Sequence, residues 1–500
     1  MTIRAQALPA PSQPPPSGSG AEYPDHLQDA SCFRGKADRI FFPVTEGEIA
    51  WILRQASKEK KPVTVSGGGT GLTGARVPQG GILLCTERMN KILQVDWDPT
   101  HRQGRVLLEA GVSLKELEEA LDPKGLFYPP DPGERAALIG GTVATNASGP
   151  RSFKYGPTRR YVRRLRVVLA HGDLLDIPRE QEKAQGGTFT LILSNGKSVN
   201  IPLPTYSSPK VKNAAGYFSQ AEMDLVDLFV GSEGTLGVVT QVELDLLKKP
   251  EAVLSGILFF DSEQDCFLFA MAAKRMSPRV LEFFDSKSLT ILSRKHDDIP
   301  QKAGAALYFQ QECEAGEEGT RLREWARRAE AFHARPADCW FSHRPEDHQV
   351  FRNFRYDLPV LVNEEVARSG FRKLGTDLAV PDAQAKEMFD FYRKEVPQVH
   401  MEYAIWGHLG ENHLHVNLFP RTEKEFERAK TLYGTLAKKA VELGGTVSAE
   451  HGIGKVRIPY LELMVGREGL TEMARVKKAL DPDGILSPGN IFPVELLKEV

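Results

Sequence analysis

Five glycines, Gly67, Gly68, Gly69, Gly71 and Gly74, fall within eight residues of the stretch VTVSGGGTGLTGARVPQGG at 63–81. Glycine loses more conformational freedom on folding than any other residue. This density therefore marks backbone that must turn sharply or be approached closely. Gly69-x-Gly71-x-x-Gly74 after a β-branched run spells a dinucleotide-binding turn, which needs a following helix whose N-terminus meets the pyrophosphate. Here Ala75, Arg76 and Val77 lead into Pro78, Gly80, Gly81 and the strand-like ILLCT. So short a segment, ending in Pro-x-Gly-Gly, holds no helix, and the Walker lysine is absent. The glycines read instead as a nest of backbone amides around an anion, with Thr70 and Thr73 as added hydroxyl donors. The competing reading is an idle surface turn.

Two more glycine clusters follow, PPDPGERAALIGGTVATNASG at 129–149 and GSEGTLG at 231–237. Around them strand-like runs (PVTVSG, GILLCT, RVLLEAG, LRVVLA, GVVTQVELDLL) alternate with helical patterns. TEGEIAWILRQASKEKK begins as a capping box, and SLKELEEALDPKG is a helix opened by Ser and closed by Gly. From about 250 the pattern shifts. AVLSGILFF and YAIWGHLGENHLHVNLFP read as strands, and EQDCFLFAMAAKRM, EAGEEGTRLREWARRAEAF and EKEFERAKTLYGTLAKKAVELGG as helices. The expected class is α/β or α+β. The expected organisation is a disordered Pro/Ser/Gly-rich tail at 1–30, a first domain at 31–248, a second at 249–460, and a returning C-terminal segment at 461–500.

The net charge is −2, so no global field points to nucleic acid or an anionic membrane. The local cluster Arg159, Arg160, Arg163, Arg164 and Arg166 reads as a solvated or phosphate-facing edge. The five cysteines form no C-x-x-C, which fits reduced thiols in the cytoplasm. No apolar run is long enough to span a bilayer, and the N-terminus carries no secretory h-region. DPDG at 481–484 lacks the further acids of a calcium loop and reads as a turn. In GHLGENHLHVN, His413, His415 and Asn417 share one face of a strand, and Gly410 permits a turn that brings His408 round. Three histidines this close make either a metal set or a polar strand with satisfied rings.

The motifs GGGTGLTG, PPDPGE…IGGTVATNASG…KYG and NAAGY…VGSEGTLGVVT resemble, in this order, the FAD-binding domain of the vanillyl-alcohol oxidase and p-cresol methylhydroxylase family. GHLGENHLHVN, EHGIGK and LDPDGILSPGNIF resemble the branch with D-lactate dehydrogenase (cytochrome), D-2-hydroxyglutarate dehydrogenase and the glycolate oxidase flavoprotein subunit. The resemblance spans about 36–495. It implies a two-part FAD-binding domain of the p-cresol methylhydroxylase type, with an antiparallel sheet and helices forming a substrate cap.

By that resemblance the flavin is held by Ser66, Gly67, Gly68, Gly69, Thr70, Gly71, Leu72, Thr73 and Gly74 of the first loop. The second cluster contributes Pro132, Gly133, Gly140, Gly141, Thr142, Ala144, Asn146, Ser148 and Gly149, continued by Tyr155 and Gly156. Glu233, Gly234, Val238 and Val239 follow, and Asn490 contacts it from the closing turn. No histidine stands in the glycine loop, so the FAD is expected to be non-covalent. His408, His415 and Glu450 match the family's ligands for a divalent metal, often Zn²⁺. His413 replaces the usual Asn. His451 is the implied general base, Asn417 a substrate contact, and Arg355 the carboxylate clamp. Arg352 is a second candidate for that clamp, and Lys373 stands in for a family lysine whose own position holds Gly375.

The implied reaction is oxidation of a D-2-hydroxy acid (D-lactate-like, glycolate or D-2-hydroxyglutarate) to the 2-oxo acid. Electrons pass onward to a cytochrome, a flavoprotein or a quinone pathway. The chain is then cytoplasmic or peripheral to a membrane electron-transfer chain, with a homodimer left open. Two alternatives stand beside it. An alkyl-dihydroxyacetone-phosphate synthase type is disfavoured because its consecutive histidine run is absent. A non-catalytic flavin-binding subunit is disfavoured by the intact His408, His415, Glu450 and His451.

Overall fold

The computed structural model describes residues 3–100 and 102–500. A small mixed sheet runs in the order Ser17–Gly18, Arg39–Phe41, Ile82–Cys85, Val63–Ser66, with the last three strands parallel. The glycine loop joins the edge strand Val63–Ser66 to its parallel neighbour Ile82–Cys85 and contains no helix, as the proline and glycines require. Helix Glu46–Glu59 covers this sheet, burying Ile49, Ile52, Leu53 and Ala56 against Phe41, Val63 and Leu84. Thr45 caps Glu48 N at 3.2 Å, but the Glu48 carboxylate accepts from Val44 N and not from Thr45. The reciprocal box forms instead at Ser113 and Glu116, ahead of helix Leu114–Leu121.

Beside it lies an antiparallel sheet in the order Gln6–Ala7, Asp173–Pro178, Val162–Val168, Val238–Lys248, Gln103–Glu109, Ile92–Asp98. The second half of the chain builds a larger antiparallel sheet. Its order is Trp340–Ser342, Ala252–Phe260, Ala305–Cys313, Val280–Asp285, Tyr403–His408, His413–Leu418, Leu374–Gly375. Both faces are covered. Phe283 and Leu307 join the core under helices Glu263–Ala273 and Ala385–Glu395, while Phe284, Ala306 and Tyr308 pack toward helix Pro345–Ser369 through Phe351, Phe354 and Leu358. The two-residue period of a strand produces this split. The chain then returns. After helical segment Ile458–Leu480, broken at Gly466, residues 485–487 pair with Val63 through Val63 N to Ile485 O and Ser487 N to Val63 O, both 2.7 Å.

Two further expectations are corrected. The start of the chain is not a disordered tail. Ile3–Arg4 pairs with Thr188–Ile192, Gln6–Ala7 with Asp173–Pro178, and Ser17–Gly18 with Arg39–Phe41; residues 1 and 2 lie outside the described residues. Strand addition needs only backbone groups and a few apolar anchors, here Ile3 and Ala5, which composition does not reveal. The arginine cluster is a solvated edge only in part. Arg160 is exposed, whereas Arg164 pairs with Asp176, Arg166 with Glu46, and the half-buried Arg159 with Asp227 and the Val230 carbonyl. The charged region before 350 also leads into the 25-residue helix Pro345–Ser369, with Pro359 inside it. Among the described residues no helix is long and apolar enough to cross a membrane.

Candidate active site

The three glycine clusters face one cavity of about 290 Å³. Gly67, Gly68, Gly69, Thr70, Gly71, Leu72 and Thr73 line it from the first cluster. Pro132, Gly140, Gly141, Thr142, Ala144 and Ser148 line it from the second, and Glu233, Gly234 and Val239 from the third strand region. Part of the second cluster forms the short helix Ile139–Ala144. A side chain at Gly141 would meet nothing within 4 Å and would project into this space. One at Gly68 would strike the Ala136 carbonyl at 2.8 Å. Gly69 has φ +79°, and Arg76 braces the loop from behind, donating to the carbonyls of Gly67, Gln28 and Asp25. The shape is a cradle that Cβ atoms would fill, which suits a phosphate-bearing cofactor.

Other expected cofactor residues shape this cradle without lining it. Gly74 N donates to Asp29 at 3.0 Å. Asn146, at φ +48°, bridges the Asn213 carbonyl and Arg159 N. Gly149 sits where a Cβ would lie 1.7 Å from the Asp131 carbonyl. Ser66 ends its strand and its carbonyl accepts from Thr86 N. Val238 belongs to the apolar core. Tyr155 turns its hydroxyl to Glu312, with Gly156 (φ +82°) beside it, and Gly133 faces Arg355. Asn490 points to protein partners and not to the cavity. It donates to the carbonyls of Ala75 and Glu233 and accepts from Lys455 Nζ at 2.7 Å. Glu233, which does line the cavity, has φ +51° and accepts from Ile453 N and Gly454 N, both 2.7 Å, and burial pushes its carboxyl up to about 7.

At one end of the cavity stand Glu450 and His451. Beyond them is the histidine hairpin. Strands Tyr403–His408 and His413–Leu418 pair His408 directly with His413 and place His415 on the same face. The turn uses Asn412 at φ +53°. Ligand atoms of His408, His413, His415 and Glu450 lie within 4.8 Å of one another. Glu450 is 3.2 Å from His408 Nε2 and 3.3 Å from His415 Nε2. The far nitrogens are occupied: His408 Nδ1 meets Glu282 at 2.5 Å, and His415 Nδ1 meets the Thr376 carbonyl at 3.0 Å. A carbonyl can only accept, so His415 carries its proton on Nδ1 and its Nε2 lone pair faces Glu450. Two imidazoles oriented by acceptors behind them, with a carboxylate between, make a donor set that fits a divalent ion. Burial pushes His415 below its ordinary value. Burial also acts against protonation of His408, but Glu282 and Glu450 outweigh it and lift that ring to about 9. A proton and a metal ion thus compete for its Nε2.

Sequence reasoning missed four side chains here. Lys212 is fully buried with Nζ 2.8 Å from Glu450 and 3.2 Å from Glu411. Burial opposes its charge, but the two carboxylates hold it protonated. Glu282 joins His408 to Arg355, whose Nε lies 3.1 Å away. Asp377 is fully buried, reaching His413 Nε2 at 2.9 Å, His451 Nδ1 at 3.3 Å, Ser448 Oγ at 2.7 Å, and Arg457. Burial raises its carboxyl, but His451 and Arg457 bring it well below the usual range. His413 is pushed far down by burial and the neighbouring His415, so it is a neutral ring. Asn417 is held by the His415 carbonyl at 3.2 Å, and the missing side chain of Gly375 leaves room at its Oδ1. Lys373 is not brought to this cluster. It lines a separate cavity with Arg372, Phe426 and Tyr460, and burial pushes its pKa down to about 8.

Fold and site together describe a flavoprotein oxidoreductase. Residues 37–178 match the FAD binding domain model, and residues 249–491 match the model of FAD linked oxidases, C-terminal domain. The chain is 30% identical to glycolate oxidase subunit GlcD of Bacillus subtilis (strain 168), across 94% of this chain and 92% of that protein. It is 31% identical to a D-lactate dehydrogenase of Archaeoglobus fulgidus, across 90% of each. It is 28% identical to the mitochondrial D-lactate dehydrogenase [cytochrome] of Arabidopsis thaliana, across 91% of this chain and 73% of that protein. Among solved structures, alkyldihydroxyacetonephosphate synthase shares the fold, with a TM-score of 0.64 at 16% identity over 98% of this chain and 89% of that one. The chain belongs to the FAD-linked oxidases with a p-cresol methylhydroxylase-type FAD-binding domain, and it is an FAD-dependent oxidoreductase.

Proposed function

We propose that the chain oxidises a D-2-hydroxy acid to the 2-oxo acid. One observation carries this reading: Glu450 and His451 line the glycine cradle while Glu450 also belongs to the histidine cluster. A proton acceptor and a cation site therefore stand against the place where FAD lies. The relatives named glycolate oxidase subunit and D-lactate dehydrogenase support the substrate class. FAD, held non-covalently, would supply the hydride acceptor, and His408, His415 and Glu450 would hold a divalent ion, Zn²⁺ in this reading, that would supply a Lewis acid to the substrate hydroxyl.

The chain's own side chains do the rest. His451 takes the hydroxyl proton on Nε2, while Asp377 fixes its ring through Nδ1 and stabilises the imidazolium formed. The charged Arg457 behind Asp377 keeps that carboxylate ionised. Asn417 presents its amide to the substrate beside Gly375. Arg355 acts as a clamp with one side committed to Glu282. The electrons taken from the substrate would leave to a cytochrome, a flavoprotein or a quinone pathway. His451→Ala tests the assignment: dye reduction by D-lactate or glycolate falls about 10²- to 10⁴-fold while flavin and metal content stay constant. Undiminished turnover removes His451 as the base.

A further inference from the structure

Lys212 stands inside the histidine cluster, yet a protonated ammonium has three donors and no lone pair to offer a metal. Its side chain is 0% exposed. The chain delivers it there from two sides. The Asn213 carbonyl accepts from Asn146 Nδ2 at 3.0 Å, which ties the segment to the second glycine cluster. Ala214 N donates to the Ser448 carbonyl at 2.8 Å, and Asn213 Oδ1 accepts from Thr446 Oγ1 at 2.6 Å, which tie it to the segment carrying Glu450. On its far side Lys212 Nζ lies 3.2 Å from Glu411, whose carboxylate also meets the Ser152 hydroxyl at 2.5 Å.

The two oxygens of Glu450 are unequal as a result. Oε2 lies 2.8 Å from Lys212 Nζ. Oε1 faces imidazoles, 3.3 Å from His415 Nε2 and 3.5 Å from His451 Nε2. His408 Nε2 stands 3.2 Å from both oxygens. Burying an ammonium is costly, and a positive charge touching a metal-ligating carboxylate opposes the ion that the carboxylate binds. A site built only to retain a metal gains nothing from such a neighbour. Structural metal sites are closed by protein ligands, whereas catalytic ones keep a position open. With Oε2 retained by Lys212, the protein offers His408, His415 and the single oxygen Oε1.

We infer that Lys212 is a positioning residue: it holds Glu450 to one metal-facing oxygen and loosens the site's grip on its ion, which keeps a position open and electron-poor for the substrate oxygens. The inference rests on the divalent-ion reading of His408, His415 and Glu450. The test is Zn²⁺ titration of the FAD-loaded full chain against a competing chelator, with flavin absorbance as the loading control. Lys212→Met removes a positive charge beside the ligands, so Zn²⁺ is expected to bind at least about tenfold more tightly, while kcat for D-lactate and glycolate falls. Loaded with Co²⁺ instead, the variant shows visible bands shifted from those of the wild type, because both Glu450 oxygens reach the ion. A lysine that only props the fold gives the opposite sign, weaker metal binding on its loss. The double variant Lys212→Met/Glu411→Gln keeps the net charge of the pocket and decides the matter where the single variant does not fold. The tightening persists in it at reduced size, since it is Lys212 that contacts the ligand carboxylate. Zn²⁺ binding that is unchanged or weaker in the folded, FAD-loaded variant overturns the inference and leaves the metal reading standing. Wild type that retains no divalent ion removes both. Absence of hydroxy-acid turnover counts against the substrate class, and the Zn²⁺ titration still decides the inference.

Discussion

Glu282→Gln isolates the histidine cluster from the flavin cradle. Glu282 is 1% exposed and spends both oxygens, one on His408 Nδ1 at 2.5 Å and one on Arg355 Nε at 3.1 Å. Burial disfavours its charge, yet His408 and Arg355 hold its carboxyl down to about 2. Glutamine keeps one acceptor and turns an amide donor toward a donor, so one contact is lost with the charge. Arg355 can only donate, so the retained oxygen stays with it and His408 Nδ1 loses the acceptor that fixes its ring. Changes behind a metal-ligating histidine typically weaken metal affinity by about 10- to 100-fold, which is about 1.4–2.8 kcal/mol. The assay is Zn²⁺ titration against a competing chelator, with flavin absorbance as the internal control, because Glu282 does not line the cradle. The expected result is normal FAD content with weakened metal binding. Unchanged metal affinity in FAD-loaded Glu282→Gln, or wild type that retains no divalent ion, refutes the reasoning.

Gly141→Val places a branched side chain in open cavity space, so FAD affinity falls at least about tenfold while the apoprotein unfolds as before, read by flavin titration and denaturation. Asp377→Asn leaves Arg457 buried without its carboxylate; urea denaturation shows a loss of about 3–5 kcal/mol, and turnover falls with it. The raised Glu233 carboxyl, moved from 4.5 to about 7 by burial, favours folding when protonated. Its contribution is present below about pH 4.5, is lost as pH rises through about 7, and amounts to about 3 kcal/mol; Glu233→Gln flattens that slope in the apoprotein. Metal uptake weakens as pH falls below about 9, because a proton occupies His408, and pH-dependent Zn²⁺ titration reads it directly.

The features legible in the sequence are those fixed locally. Pro78 and the two glycines after it forbid a helix, so the dinucleotide fingerprint was correctly set aside. The histidines meet because a hairpin joins them across a single turn. What stayed hidden arrives from distant strands. Asp377, Glu282, Lys212 and Arg457 sit in stretches with no periodic or compositional mark, and only tertiary packing gathers them. Lys373 shows the converse: the right residue type near the right motif was directed into another cavity. Asn490 was placed at the cofactor, whereas its amide is consumed by two carbonyls and a lysine. The first residues were misread because edge pairing leaves almost no trace in composition.

The bond from Asn490 to Ala75 and Glu233, together with the pairing of residues 485–487 with Val63, has a consequence in time. The glycine loop is synthesised early, but Asn490, which clasps it, follows Ala75 by 415 residues. No nascent chain ending before residue 490 contains the closed cradle. Flavin capture therefore follows synthesis of this distant segment, and a chain cut before residue 485 has every lining glycine and no latch.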